Sequence, residues 1–268
     1  MRRGFSSVAV TSLFGMAFLV AAPATAHFKK CPKDAVLVGT LCMDTYEAGA
    51  WQVPDPTGNN KGLVKKIQKG AVKNAAELVS NGATLLGQGG DDFAPCGDRG
   101  EGCADVFAVS LPDVIPSAYV TWFQAQQACA NSGKRLPTSA EWQMAVIGTP
   151  DPVTDNTTTD CNVQTLNEAV PTGSRASCVS NAGIYDMVGN LHEWVADWVQ
   201  RSTGIPGWDS IGSNDYNSFA GASTTSIPAA LLRGGHFNNN INDAGPLTID
   251  AGVTPLGSSF RHGFRCMR

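Results

Sequence analysis

The apolar positions of this chain fall into short runs separated by long polar stretches. From Ala35 to Trp51, "AVLVGTLCMDTYEAGAW" alternates and turns at Gly39-Thr40, the pattern of a β-hairpin. Residues 52–105 lose that alternation and are rich in Gly, Asn, Asp and Pro; only "LVKKIQKGAVKNAAELVSNG" has some helical character there. This region reads as a long, irregular, loop-rich insertion. After Pro116, "SAYVTWFQAQQACANSG" has helical spacing, with Val120, Phe123 and Ala128 on one side, Ser117 as cap and Gly133 as stop. "LPTSAEWQMAVIG" opens a second helix. Thr138 and Glu141 form a capping box, and Trp142 and Val146 face inward. Residues 148–182 are polar and rich in Pro, Asn and Thr, again a loop pattern. "WVADWV", "LLRGGHF" and the tail "SSFRHGFRCMR" read as short strands. Little helix, several short strands and much loop predict an α+β domain whose loops need disulfides or metal to hold them.

The first residues have a different character. Arg2 and Arg3, an apolar run from Val8 to Ala22, and Ala24-x-Ala26 describe a secretory signal peptide, residues 1–26, cut after Ala26. The run is too short to span a bilayer comfortably, so no membrane span is expected after cleavage. The expectation is one domain over residues 27–268, exported to a periplasmic or extracellular space. With 19 Lys and Arg against 23 Asp and Glu, and no basic block beyond "KKIQK" near residue 65, nucleic acid is excluded as the expected partner.

Eight cysteines follow the leader, an even number in a chain expected to be exported, which points to a disulfide framework. Three pairs are close enough in sequence to close small loops: Cys31 with Cys42, Cys96 with Cys103, and Cys161 with Cys178. Cys129 and Cys266 are left to join the middle of the chain to its end. Many other pairings of eight cysteines remain open on spacing alone. Zinc-type spacing is absent.

Four blocks occur in one order: "SAYVTWFQAQQACANSGKRLPTSAEWQMAV", "GIYDMVGNLHEWVADW", "LLRGGHF" and "GFRC". Together they resemble the formylglycine-generating enzyme, or sulfatase-modifying factor, family, over about Val36 to Cys266 apart from the insertion. The resemblance implies the family's C-type-lectin-like variant fold, α+β with much irregular structure. It implies a long-range bond between Cys129 and Cys266, and a buried structural cation at Arg135. It also implies calcium at the turn "DMVGNLHE", with carboxylate oxygens from Asp186 and Glu193 and carbonyls from Gly189 and Leu191. Calcium takes six to eight hard oxygen ligands, and a Gly-containing turn lets successive carbonyls converge. A second family calcium site would fall at Asn162 and Val163, but the usual downstream acid is missing from "PTGSRASC". Trp194 and Trp198 are expected to anchor the strand that follows the turn.

The family's oxidases hold copper with two cysteines lying between the "RGG" and "GFRC" blocks, and soft thiolates do select Cu(I). Here that interval, "HFNNNINDAGPLTIDAGVTPLGSSFRH", has no cysteine. No copper and no formylglycine-generating activity by that mechanism are expected, and no catalytic residue is assigned. No nucleophile–base motif, phosphate loop or HExxH sequence appears. His236 and His262 flank the block where the family's cleft lies, which would allow a two-His metal site, whereas lone His are more often surface or core residues. His192 stands where the family commonly has an aromatic residue. The interval is rich in Asn, which donates and accepts hydrogen bonds and suits adaptable recognition. A lectin-like scaffold with such a surface also resembles ligand-binding proteins diversified by retroelements. His236, Asn238, Asn239, Asn240, Asn242, Asp243 and His262 are therefore the candidate ligand-binding surface, for a protein or small molecule. The expected function is a non-catalytic binding or structural member of the family; the alternative is an enzyme that oxidatively modifies a protein or natural product.

Overall fold

The computed structural model describes residues 30–90, 92–204, 215–218, 220–222, 227–241 and 243–268. The expected leader and Asn242 lie outside them. The hairpin forms as its alternation predicts. β1 (Ala35–Val38) pairs antiparallel with β2 (Leu41–Asp44), and Gly39 supplies the left-handed turn with φ of 60°. β3 (Ala48–Gln52) then leaves the hairpin and sits between β4 (Thr84–Leu85) and β5 (Val106–Ser110) in a three-stranded antiparallel sheet.

The insertion at 52–105 is more ordered than its composition predicts. It contains helices α1 (Lys61–Gln68) and α2 (Ala75–Ser80) and the strand β4. Leu63, Ile67 and Leu78 pack on Trp51, Phe107 and Val109, a small core beside the three-stranded sheet. Apolar residues too sparse to show a convincing period still suffice once a sheet face lies beneath them.

The helices after Pro116 are α3 (Trp122–Asn131) and α4 (Ser139–Ala145). α3 starts later than expected. Its cap is Thr121, whose side chain accepts from Gln124 N, with Gln124 completing a capping box. Ser117 is used differently: its Oγ accepts from Ala50 N (2.7 Å) and donates to Leu86 O (2.6 Å), tying the chain to β3. Gly133, with φ of 68°, follows the end of α3 as expected. α4 begins at the Thr138–Glu141 box, and its Trp142 is fully buried.

The central sheet has the order β10-β9-β6-β11, from β6 (His192–Gln200), β9 (Pro228–Arg233), β10 (Ile249–Asp250) and β11 (His262–Phe264). β11 runs parallel to β6; the other pairs are antiparallel. A two-stranded ribbon, β7 (Ser202–Gly204) with β8 (Ala220–Ala222), extends it. Successive strand residues point to opposite faces, and here both faces are covered. Trp194, Leu232 and Phe264 pack with α3 and the three-stranded sheet, while Val195 and Leu231 pack with Trp142 and Val146 on the α4 side. Double coverage explains why the start of β6 is buried continuously rather than in alternation.

All eight cysteines are paired as the sequence spacing suggested: Cys31–Cys42, Cys96–Cys103, Cys161–Cys178 and Cys129–Cys266. The last joins α3 to the residues after β11 across 137 positions. Four disulfides fit an oxidising environment. Among the described residues, no helix is long and apolar enough to cross a membrane.

Two expectations about burial change. Arg135 is not a buried cation: its side chain is 42% exposed and pairs with Glu141 at 2.6 Å. The buried cation is its neighbour Lys134, held between Asp34 (2.8 Å) and Asp44 (2.6 Å). Of the two Trp expected as anchors, Trp194 is buried and donates to Val120 O (2.9 Å). Trp198 is 44% exposed and meets Trp122 and Phe123 edge-on at the surface.

Candidate functional site

The segment Asp186–Glu193 runs from a tight turn into β6 and is held at every step. Asp186 and Asn190 have φ of 57° and 53°, and Gly189 has 74°. A Cβ on Gly189 would lie 2.4 Å from Asn162 O, so only glycine fits. Asn190 ties three loops to the turn. Its Nδ2 donates to the Glu47 carboxylate and to Val170 O (3.3 Å), and its Oδ1 accepts from Asn162 Nδ2 (3.0 Å) and Val170 N (2.9 Å). Glu47 Oε1 in turn accepts from Leu191 N (2.9 Å). Glu193 accepts from Arg265 Nε (2.8 Å) and Nη2 (2.5 Å) and from Trp142 Nε1 (2.7 Å). Asp186 accepts from Gly173 N (2.7 Å).

This buried knot bears on the calcium expectation. At Glu193 the expected calcium ligand is a carboxylate already shared between a guanidinium and an indole. At the second expected site, Asn162 is also engaged. Its Nδ2 goes to Asn190 and to Glu168 O, and its carbonyl accepts from Asn190 N (2.8 Å), while Val163 is fully buried. Among the described residues, no three His, Cys, Asp or Glu side chains come together as a metal cage. The donor chemistry nonetheless fits a cation in one respect. Glu47, Asp186 and Glu193 are all buried, and Arg265 is the guanidinium bonded to Glu193 among them. Burial pushes Asp186 up to about 6, against the pull of Gly173 N–H and Arg265. Burial raises Glu47 well above the usual range, and the Asp186 and Glu193 charges raise it further.

Glu47, Asn190 and Arg265 carry the knot, and the sequence reading had assigned a role to none of them. Asn190 and Arg265 lie inside two of the family blocks, "GIYDMVGNLHEWVADW" and "GFRC". Glu47 gave no signal.

The three His of the described residues meet at the start of β6. His192 and His262 are Cα partners across the parallel β6–β11 pair, and the His192 and His236 rings stand edge-on at 4.9 Å. Burial is the main cause that lowers all three, His192 to about 3, His236 to about 2 and His262 to about 4; His262 and Arg261 lower His192 further, and His192 lowers His236. They are neutral imidazoles at pH 7. His192 Nε2 and His262 Nδ1 are buried without a hydrogen-bond partner. His236 and His262 therefore are not surface residues.

The Asn-rich turn divides into structural and outward-facing residues. Asn239 Oδ1 accepts from His236 N (2.7 Å), closing the turn on itself. Asp243 contributes its backbone, donating from N to Asn240 O and accepting at its carbonyl from Thr248 Oγ1 (2.8 Å). Asn238 and Asn240 are exposed. Asn238 Nδ2 donates to Asn167 Oδ1 (2.6 Å) and its Oδ1 accepts from Arg261 Nη2 (2.8 Å).

Beside Asn238 opens a cavity of about 320 Å³, lined by Tyr119, Phe237 and Phe260 with Asn167, Glu168 and Gln88 among its polar groups. Phe260 lies 5.9 Å from Phe237 and 6.4 Å from Tyr119, ring centre to centre. Tyr119 has φ of 53°, an outlier for a bulky side chain. It is held there by its N–H to Ser259 O (2.9 Å) and by Ala118 N donating to Gly87 O. Strained backbone of this kind concentrates at functional sites. Neither Tyr119 nor Phe260 stood out in the sequence.

Comparison with known proteins bears on both fold and site. Residues 91–268 match the model of the sulfatase-modifying factor enzyme 1-like domain. The formylglycine-generating enzyme of Thermomonospora curvata is 29% identical over 178 residues, 56% of this chain and 54% of that protein. The inactive C-alpha-formylglycine-generating enzyme 2 of Bos taurus is 27% identical over 168 residues, 57% of this chain and 50% of that one. The chain thus spans about half the length of these curated relatives. Among solved structures, the Major Tropism Determinant I1 variant is similar over 88% of this chain and 52% of that one, at 18% identity and a TM-score of 0.47. With two thirds of its length inside the family model, the chain belongs to the sulfatase-modifying factor enzyme 1-like domain family, in an α+β fold of the C-type-lectin-like, formylglycine-generating-enzyme type.

Proposed function

We propose that this protein is an exported, non-catalytic binding member of its family, whose ligand seat is the cavity of Tyr119, Phe237 and Phe260 beside Asn238. The observation that carries the reading is this aromatic cavity bordering the Asn-rich turn, with a strained Tyr119 at its wall. Two facts support it. Every cysteine is engaged in a disulfide, leaving no thiolate to hold copper. The imidazoles packed beside the turn are buried, and burial keeps them neutral at pH 7. The test is ligand-observed NMR with a fragment and glycan panel on the wild type and Tyr119→Ala. Ligands that lose their signal in the variant are expected. Ligands that bind the variant equally well overturn the assignment of the seat.

A structural calcium at the turn belongs to the same reading, with Asp186, Glu193 and the carbonyls of Gly189 and Leu191 as ligands and Glu47 as a further buried carboxylate beside them. The excess of buried carboxylate supports it. Calcium in hundredfold excess over its Kd should add about 2.7 kcal/mol to stability, and a chelator should remove that gain. An unchanged melting curve removes the ion from the reading.

One observation favours a second reading, an enzyme of different metal chemistry. The His192 and His236 rings stand edge-on beside the Asn-rich turn, His262 is the strand partner of His192, and ring nitrogens of His192 and His262 lack hydrogen-bond partners. Elemental analysis of the purified protein separates the two. Calcium alone, with no oxygen uptake on a Cys-containing sulfatase peptide, supports the first. Stoichiometric copper or iron supports the second.

A further inference from the structure

Three aromatic rings and one carboxylate line the cavity beside Asn238. The rings are those of Tyr119, Phe237 and Phe260, and the carboxylate is that of Glu168. The face of an aromatic ring carries partial negative charge, so several rings around one volume favour a cation poor in hydrogen-bond donors. Phe260 already shows this affinity: the Arg261 guanidinium lies over it, 4.7 Å from the ring centre. That guanidinium is tethered by Asn238 and is not among the residues that line the cavity. Phe237 is buried and Phe260 is 41% exposed, so the rings offer a floor and a wall rather than a closed core. Glu168 is exposed, and the hydrogen bond it makes in the knot uses its backbone carbonyl, to Asn162 Nδ2 (2.9 Å), not its carboxylate.

The remaining lining points the same way. Ile115, Pro116 and Ala118 present carbon and no cationic side chain. The polar side chains in the lining, Gln88, Asn167 and Glu168, offer oxygen acceptors, and the side-chain donors are the two amides and the Tyr119 hydroxyl, none of them charged. An anion would meet the negative ring faces and a carboxylate. A purely apolar ligand would leave Glu168 desolvated without a partner, which is unfavourable. The net charge of the chain, −4, adds a weak long-range bias toward cations.

From this we propose that the cavity binds an alkylammonium group, of the quaternary or fully methylated type, with the charge against Tyr119, Phe237 and Phe260 and Glu168 as counter-ion. The proposal rests on the reading of this cavity as the ligand seat and goes further by naming the charge of what it holds. The volume, about 320 Å³, admits a trimethylammonium head with part of its carbon chain.

The test compares choline with 3,3-dimethylbutan-1-ol, which has the same shape with carbon in place of the charged nitrogen. Binding to the full chain is followed by calorimetry and by aromatic chemical shifts. Choline is expected to bind about tenfold more tightly than the neutral alcohol, the scale of a partly desolvated cation–π contact. Glu168→Gln should weaken choline several-fold and leave the alcohol unchanged, while Phe260→Leu should weaken choline more than the alcohol. Equal binding of the two probes overturns the proposal and leaves the seat standing. Tight binding of choline with shifts away from Tyr119 and Phe260 overturns it as well. Absence of choline binding up to millimolar concentration overturns it too, and the fragment panel then shows whether the seat itself survives.

Discussion

Replacing Arg265 by Met should destabilise the protein by about 3–5 kcal/mol, the range for removing one partner of a buried ion pair. Arg265 is fully buried. It donates to Glu193 and to the carbonyls of Tyr185 (2.9 Å) and Asp44 (3.3 Å), so it joins the turn, β6, the residues after β2 and the C-terminal segment. Without it, Glu193 keeps only Trp142 Nε1, and three buried carboxylates lose the guanidinium held among them. The double variant Glu193→Gln with Arg265→Met should recover part of the loss, because it removes the stranded charge along with its partner. Urea unfolding of the two variants measures this. A cost below about 1 kcal/mol for the single variant would show that the pair contributes little, as exposed pairs do.

Lowering the pH from 7 to 5 should cost roughly 2–3 kcal/mol. His192, His236 and His262 have folded pKa values of about 3, 2 and 4, below the ordinary value of 6.5. The unfolded chain therefore takes up protons below pH 6.5 that the folded chain refuses. The stability these groups contribute is complete above 6.5 and is lost as the pH falls toward their folded values. At pH 5 each imidazole accounts for about 2 kcal/mol on this basis. Carboxylates act in the opposite sense. Burial raises Asp44 and Asp186 to about 6, so the folded state binds their protons first and gains on the order of 1 kcal/mol from each over the same interval. Glu47 is raised as well and adds to that side. The three imidazoles outweigh Asp44 and Asp186, and Glu47 narrows the margin. Urea midpoints at pH 7, 6 and 5 give the slope, and His236→Gln should flatten it. Constant or rising stability on acidification would show that the three rings are solvated.

Much of the local structure was legible in the sequence because its causes are local. The hairpin at Gly39, the Thr138–Glu141 box and the stop at Gly133 all depend on neighbours a few positions away. The cysteine pairs were legible too, since three of them close short loops and the fourth was what remained. The site was legible only as a neighbourhood. Asp186, Gly189, Leu191 and Glu193 do form one turn, and His236 and His262 do flank one region. Their roles changed when distant partners arrived: Arg265 reaches Glu193 across 72 positions, and Glu47 reaches Asn190 across 143. Ser117 read as a helix cap until β3 claimed its hydroxyl, and Arg135 read as buried where its neighbour Lys134 points inward instead.

By itself, then, the sequence determined the α+β class, the family blocks, the disulfide framework and the absence of cysteine where the family's oxidases hold copper. The class and the short cysteine loops follow from composition, spacing and short-range propensity, and the rest follows from the resemblance of the four blocks to the family; none of this needs coordinates. Only the tertiary structure decided that Glu193 faces a guanidinium, that three histidines are neutral and packed together, and that Tyr119, Phe237 and Phe260 enclose one cavity. A side chain's charge state and exposure depend on which groups displace its water. Those groups come from segments as far apart as the 221 positions between Asp44 and Arg265, which no periodicity in the chain connects.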